Sequence, residues 1–207
     1  MKKKITCLCE NSFEIDINEE FDLDKETEIL NKILDGTFLN FACPSCGKNL
    51  KPEFPIMLLW PSKKLQYEVL PELDRGEFYR RKKNENEKKG VETLIGYPEM
   101  AERLTIIQDG YETIPVEDIK YHLQLKAEEQ YPESDMEVSY FSTTPDSLEF
   151  HISGIKENEV AVMKVPVSIY ERTLKEFKSR PKAEVFTILK HRNYISYKNT
   201  MRLETLK

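Results

Sequence analysis

In the run Phe13-Glu14-Ile15-Asp16-Ile17, apolar and polar residues take turns, the period of a strand buried on one face. The stretches "KKIT", "TFLNFA" and "PEFPIMLLW" also read as strands. Between them, "DLDKETEILNKILDG" changes period. Ile29, Leu30, Ile33 and Leu34 fall on one helical face, Asp22 or Asp24 supplies a cap, and Gly36 supplies the stop. Further on, "IGYPEMAERLTIIQDG" predicts a helix with Pro98 in its first turn and Gly110 at its end. A second helix fits "PVEDIKYHLQLKAEEQ", with Val116, Ile119, Leu123 and Leu125 facing inward. Three strand patterns follow, "MEVSYFS", "SLEFHISG" and "EVAVMKVP", separated by turn-rich "TTPD" and charged "IKENE". They predict an antiparallel meander. His151 falls on the polar face of the middle strand. A helix over "VSIYERTLKEFKS" stops before Pro181, and the stretch "AEVFTILKHRNYISYKNTM" predicts a last helix packed on the sheet.

Residues 74–90, "DRGEFYRRKKNENEKKG", break the pattern and form a charged linker. The expected organisation is an N-terminal cysteine-bearing module over 1–73, this linker, and an α+β domain over 91–207. Arg80, Arg81, Lys82 and Lys83 make the linker a candidate basic arm.

The 207 residues carry a formal charge of −6, which argues against binding nucleic acid over a broad surface, because phosphate attraction needs a positive face. The start "MKKKITCLCE" has no apolar h-region, and "PIMLLWP" is too short to span a bilayer, so no membrane association and a cytoplasmic location are expected. In that compartment thiols stay reduced.

All four cysteines lie in two close pairs, Cys7-Leu8-Cys9 and Cys43-Pro44-Ser45-Cys46. Such pairs read as metal ligands when two segments each supply two thiolates to one tetrahedral ion. In the second pair Pro44 stiffens the turn, Gly47 permits a positive φ, and backbone N–H groups can point at the sulfurs. The first pair is one residue shorter. Two cysteines at i and i+2 on a regular strand would face opposite ways, so the chain must turn there, with Asn11 as the residue expected to be left-handed. The competing readings are two metal-free buried pairs and a redox centre at Cys43 and Cys46. The latter usually opens a helix, which the two prolines of "GKNLKPEFP" oppose. Four thiolates leave no open position for water, so a single zinc held by Cys7, Cys9, Cys43 and Cys46 would be structural. Iron fits the same cage.

On these motifs the N-terminal part resembles the CpXC family of bacterial and archaeal proteins, in which two cysteine-pair motifs flank a short helical segment. Cys43-Pro44-Ser45-Cys46 matches as it stands, whereas Cys7-Leu8-Cys9 lacks the proline and one residue. "IGYPEMAERL" and "IIQDG" are similar to a segment that follows the ribbon in such proteins. The resemblance covers about the first 130 residues and implies a zinc-ribbon-like fold, with no activity attached.

The sequence has no G-x-S-x-G, P-loop, G-x-G-x-x-G or H-E-x-x-H motif, so nothing in it points to catalysis. The expectation is an interaction module for a protein partner, with Leu8 at a knuckle tip as a contact. The alternatives are nucleic-acid binding through the ribbon and residues 80–89, and metal or redox sensing by the thiolates.

Overall fold

The computed structural model describes residues 1–81 and 89–200. The architecture is mixed α+β, and the backbone packs as two compact units, Met1–Ala101 and Glu102–Lys207.

The first unit begins with strands β1 (Lys2–Thr6) and β2 (Ser12–Asp16), paired antiparallel with Ile5 opposite Phe13. Strand β3 (Glu20–Asp22) and helix α1 (Thr27–Leu34) follow. The helix lies where its apolar period predicts, and Gly36 ends it at φ +73°. Its start differs from expectation. Asp22 belongs to β3, and Glu26 is the N-cap residue with no side-chain cap bond. Asp22 instead accepts the backbone N–H groups of Asp24 and Lys25, shaping the entry turn.

Strands β4 (Phe41–Ala42) and β5 (Asn49–Leu50) form a second hairpin of two residues per strand. The strands expected over "TFLNFA" and "PEFPIMLLW" are therefore corrected in extent. Leu39 takes φ +48° and interrupts the first stretch, and Pro52 and Pro55 cut the second off from the hairpin. The apolar run becomes β6 (Ile56–Trp60), which joins a separate sheet. That sheet continues through β7 (Leu65–Leu70), helix α2 (Arg75–Arg80) and strand β8 (Glu92–Ile95). Its order in this unit is β3-β6-β7-β8. The β6–β7 pairing is antiparallel with Leu58 opposite Tyr67, and its two flanking pairings are parallel. Leu58, Tyr67, Val69, Leu94 and Ile95 are almost wholly buried. The expected charged linker is thus helical over Arg75–Arg80, where Arg75 bridges Glu72 and Glu99.

The two hairpins share a small core. Ile5, Ile15 and Ile17 of the first pack with Phe41 and Leu50 of the second.

Helix α3 (Tyr97–Gln108) contains the division between the units. Gly110 follows it at φ +84°, as the sequence predicts. Helix α4 (Thr113–Gln130) buries Val116 and Ile119 and half-buries Leu123 and Leu125. The meander appears as β9 (Glu137–Thr143), β10 (Ser147–Lys156) and β11 (Glu159–Pro166), in the order β11-β10-β9. A register shift passes from Glu149 opposite Ser142 to Phe150 opposite Tyr140, which skips Phe141. Phe141 stays exposed and stacks on His151 at 4.0 Å between ring centroids. Val138, Tyr140, Leu148, Phe150 and Ile152 face a core closed by α4 and α5 (Val167–Ser179).

The expected last helix is a second correction. A single turn, α6 (Glu184–Thr187), leads into a hairpin of β12 (Lys190–His191) and β13 (Tyr194–Ile195), turned by Arg192 at φ +61°. The β-branched and aromatic residues of "ILKHRNYISY" favour this extended pairing over a helix.

The helical pattern also conceals a charged network in the second unit. Lys120 Nζ lies 2.7 Å from Glu102 and 3.2 Å from Glu117, all three nearly buried. Arg103 stands 3.8 Å from Glu117 and donates to Ile195 O. The carboxylates also accept backbone N–H groups, Tyr140 N on Glu102 and Tyr197 N on Glu117, so the charges are paired and hydrogen-bonded.

Candidate metal centre

Each cysteine pair sits in the turn of one hairpin. Cys7 and Cys9 lie between β1 and β2, and Cys43 and Cys46 lie between β4 and β5. The turns share one hydrogen-bond plan. In the first, Cys7 N–H donates to Asn11 O and Cys7 O accepts from Glu10 N–H. In the second, Cys43 N–H donates to Lys48 O and Cys43 O accepts from Gly47 N–H. The first loop is one residue shorter, yet the same frame closes. Glu10 follows Cys9 as Gly47 follows Cys46, and both are left-handed, at φ +67° and +72°. The residue expected in that role, Asn11, has another one. Its Nδ2 points at Cys43 Sγ, 3.7 Å away.

The four Sγ atoms all lie within 4.8 Å of one another and could hold a metal ion. Two close approaches cross between the hairpins, Cys7 Sγ to Cys46 Sγ at 3.7 Å and Cys9 Sγ to Cys43 Sγ at 3.7 Å. Those separations are far above the ~2.05 Å of a disulfide, and all four cysteines are free thiols. One sulfur of each pair is buried, Cys7 and Cys43, and one is exposed, Cys9 and Cys46.

The local dipoles favour negative sulfur. The backbone N–H of Cys46, assisted by that of Ser45 and by the Cys9 and Asn11 side chains, lowers the Cys43 thiol to about 6 against the opposing effect of burial. At Cys46 the N–H of Lys48 also acts downward, but the neighbouring Cys9 and Cys7 thiols and burial outweigh it and raise the group to about 11. At this spacing the sulfurs resist sharing negative charge among themselves, and a cation between them removes that conflict.

The sequence profile described as CpXC protein matches residues 5–120, more than half of the chain and all four cysteines. The chain belongs to the CpXC family. An uncharacterised protein of Treponema pallidum (strain Nichols) is 28% identical over 216 residues, covering 95% of this chain and 97% of that protein. No solved structure matches. The CpXC match runs from the end of β1 into α4, so it includes both cysteine-bearing turns and the whole four-stranded portion of the sheet described above.

The other residues singled out in the sequence are dispersed. Leu8 lies at the tip of the first turn with 83% of its surface exposed. Arg80 and Arg81 are exposed at the end of α2, and Arg81 is engaged by Glu77 at 2.7 Å. Lys82 and Lys83 lie outside the described residues. Among the described residues no helix is long and apolar enough to cross a membrane. Sequence reasoning missed Asn11 as a sulfur donor. The signal was its place two residues after Cys9, where the returning strand brings its side chain back toward the partner turn.

Proposed function

We propose that Cys7, Cys9, Cys43 and Cys46 hold one structural zinc ion, and that the resulting ribbon-like CpXC module is a rigid platform for a protein partner. The spacing of the sulfurs carries this reading. Four thiolates at the ~2.3 Å typical of zinc–sulfur bonds form a tetrahedron with edges of about 3.8 Å, close to the 3.7 Å cross-hairpin separations. All four ligand positions are sulfur, so the ion would bind no water and would contribute folding energy rather than chemistry. That contribution matters because the apolar cluster at the hairpins is small, with Ile5, Ile15 and Ile17 as its buried members. The exposed Leu8 gives this platform an apolar contact.

Zinc content of the purified chain, measured by plasma mass spectrometry, tests the metal. One zinc per chain, lost in Cys43→Ser, is expected. A chain purified without chelators that contains no zinc, or a Cys43→Ser variant that keeps it, contradicts the reading.

A second reading, redox-controlled release of the metal, draws support from the exposure of Cys9 and Cys46, which gives an oxidant access to one sulfur of each pair. Mild peroxide would then eject zinc and leave the chain intact. Retention of zinc under peroxide removes this reading and leaves the structural one standing.

A further inference from the structure

The three-stranded sheet of the second unit ends in two edges, β9 and β11, and the fold treats them differently. At β9 outward backbone groups are covered. Val138 N–H donates to the Tyr197 hydroxyl, and Tyr140 N–H donates to the Glu102 carboxylate. At β11 two bonds fix which groups face outward. Thr144 N–H donates to Ser147 O, and Val167 N–H donates to Asp146 O. Ser147 and Glu149 thus turn their backbone groups to β9, while Leu148, Phe150 and Ile152 turn theirs to Val165, Met163 and Ala161 of β11. By alternation the N–H and C=O groups of Val160, Val162 and Lys164 point away from the sheet. Among the described residues no group is bonded to them.

An open edge is usually blunted by charge, by proline or by shortness. β11 is eight residues long, and its proline stands only at the last position. Of the three outward residues Lys164 alone is charged, and Val160 and Val162 are 53% and 51% exposed. On the inner face the edge borders a groove of about 290 Å³ beside α4, whose apolar lining includes Leu123, Ala127, Ala161 and Met163.

We propose that β11 pairs antiparallel with β11 of a second copy of this chain, about a two-fold axis at Val162. A row of outward donors and acceptors is answered by an extended strand, and a copy of β11 fits in one register. With Val162 opposite Val162, Val160 lies opposite Lys164, and every outward N–H of both copies meets a carbonyl of the other. A shift one way brings in Pro166, which has no N–H; a shift the other way brings in Asn158, left-handed at φ +61°. The chosen register sets each Lys164 beside a valine and away from its own copy. On the inner face it sets each Met163 opposite the small Ala161 of the other copy, at the lip of the groove. The exposed valines become covered, and the self-complementary contact closes as a dimer.

Sedimentation velocity on the full chain, from low to high micromolar concentration, tests this together with hydrogen exchange. A species of twice the 24.4 kDa chain mass is expected, with protection of the Val160, Val162 and Lys164 amides rising as it forms. Val162→Pro removes an N–H that the single chain does not use, a change that strand edges tolerate, and is expected to abolish the dimer. Val162→Lys sets two like charges opposite each other on the axis and is expected to weaken association by about tenfold or more. If Val162→Pro does not fold, Val162→Lys decides alone. A parent chain that stays monomeric overturns the proposal. So does a dimer that leaves exchange at β11 unchanged, or one that Val162→Lys forms as tightly as the parent.

Discussion

Cys7 Sγ and Cys46 Sγ, separated by 39 positions in the chain, lie 3.7 Å apart. That contact joins the turn of the first hairpin to the turn of the second, and Cys9 with Cys43 repeats it at the same distance. An ion bound there would tie together two hairpins that share a small apolar core.

Removal of one ligand should therefore unfold locally. Apparent zinc-binding energies in finger peptides are ~10–16 kcal/mol, more than the hairpin core can replace. In Cys43→Ser, hydrogen exchange should lose protection at β1 and β2, while β9, β10 and β11 keep theirs, because their core is separate. Protection unchanged at β1 and β2 would show that the hairpins stand without the ion.

Glu10 holds the left-handed position that Gly47 holds in the other turn. A side chain in that conformation costs about 1 kcal/mol, and glycine removes the cost. Glu10→Gly should raise the stability of the metal-loaded chain by about 0.5–1 kcal/mol, read from denaturant melts. A lower midpoint would mean that the Glu10 side chain makes a contact worth more than the strain.

Leu8 touches solvent over 83% of its surface. Leu8→Asp should leave zinc content and melting within about 0.5 kcal/mol of the parent and weaken affinity capture of a partner from cells. Full partner recovery with the variant would remove Leu8 from the contact surface.

The buried Glu102 gives the second unit a pH signature. Burial, against the pull of Lys120 and with a further push from Glu117, raises its carboxyl to about 7 from an ordinary 4.5. Burial acts downward on Lys120, but Glu102 and Glu117 outweigh it, so its ammonium is held charged. The fold binds the Glu102 proton more tightly than the unfolded chain does. Its contribution is complete below about 4.5 and is lost as pH rises through about 7. Glu102→Gln should flatten the fall of melting temperature across that window, and a slope as steep as the parent's would place the titration elsewhere.

The sequence exposed the candidate metal-binding cysteines readily because two closely spaced thiol pairs have few other uses. It also showed the meander and helices α3, α4 and α5, each bounded by a proline, a glycine or a turn cluster. The sheet of the first unit was harder. Leu65, Tyr67 and Val69 alternate with polar residues and mark β7, but the parallel pairing of β3 with β6 joins Phe21 to Leu58 across an intervening hairpin, which no local pattern reveals. The buried charges on α4 were equally hidden. Glu117, Asp118 and Lys120 read as a solvated face, and only their partners on other elements make burial tolerable. Asp118 is the member whose oxygen lacks such a partner.

X-ray absorption at the zinc edge of the purified chain addresses the metal centre most directly. The expected spectrum has a single shell of four sulfur scatterers at about 2.3 Å with no nitrogen or oxygen ligand. A first shell containing nitrogen or oxygen, or fewer than four sulfurs, would contradict a closed four-cysteine site.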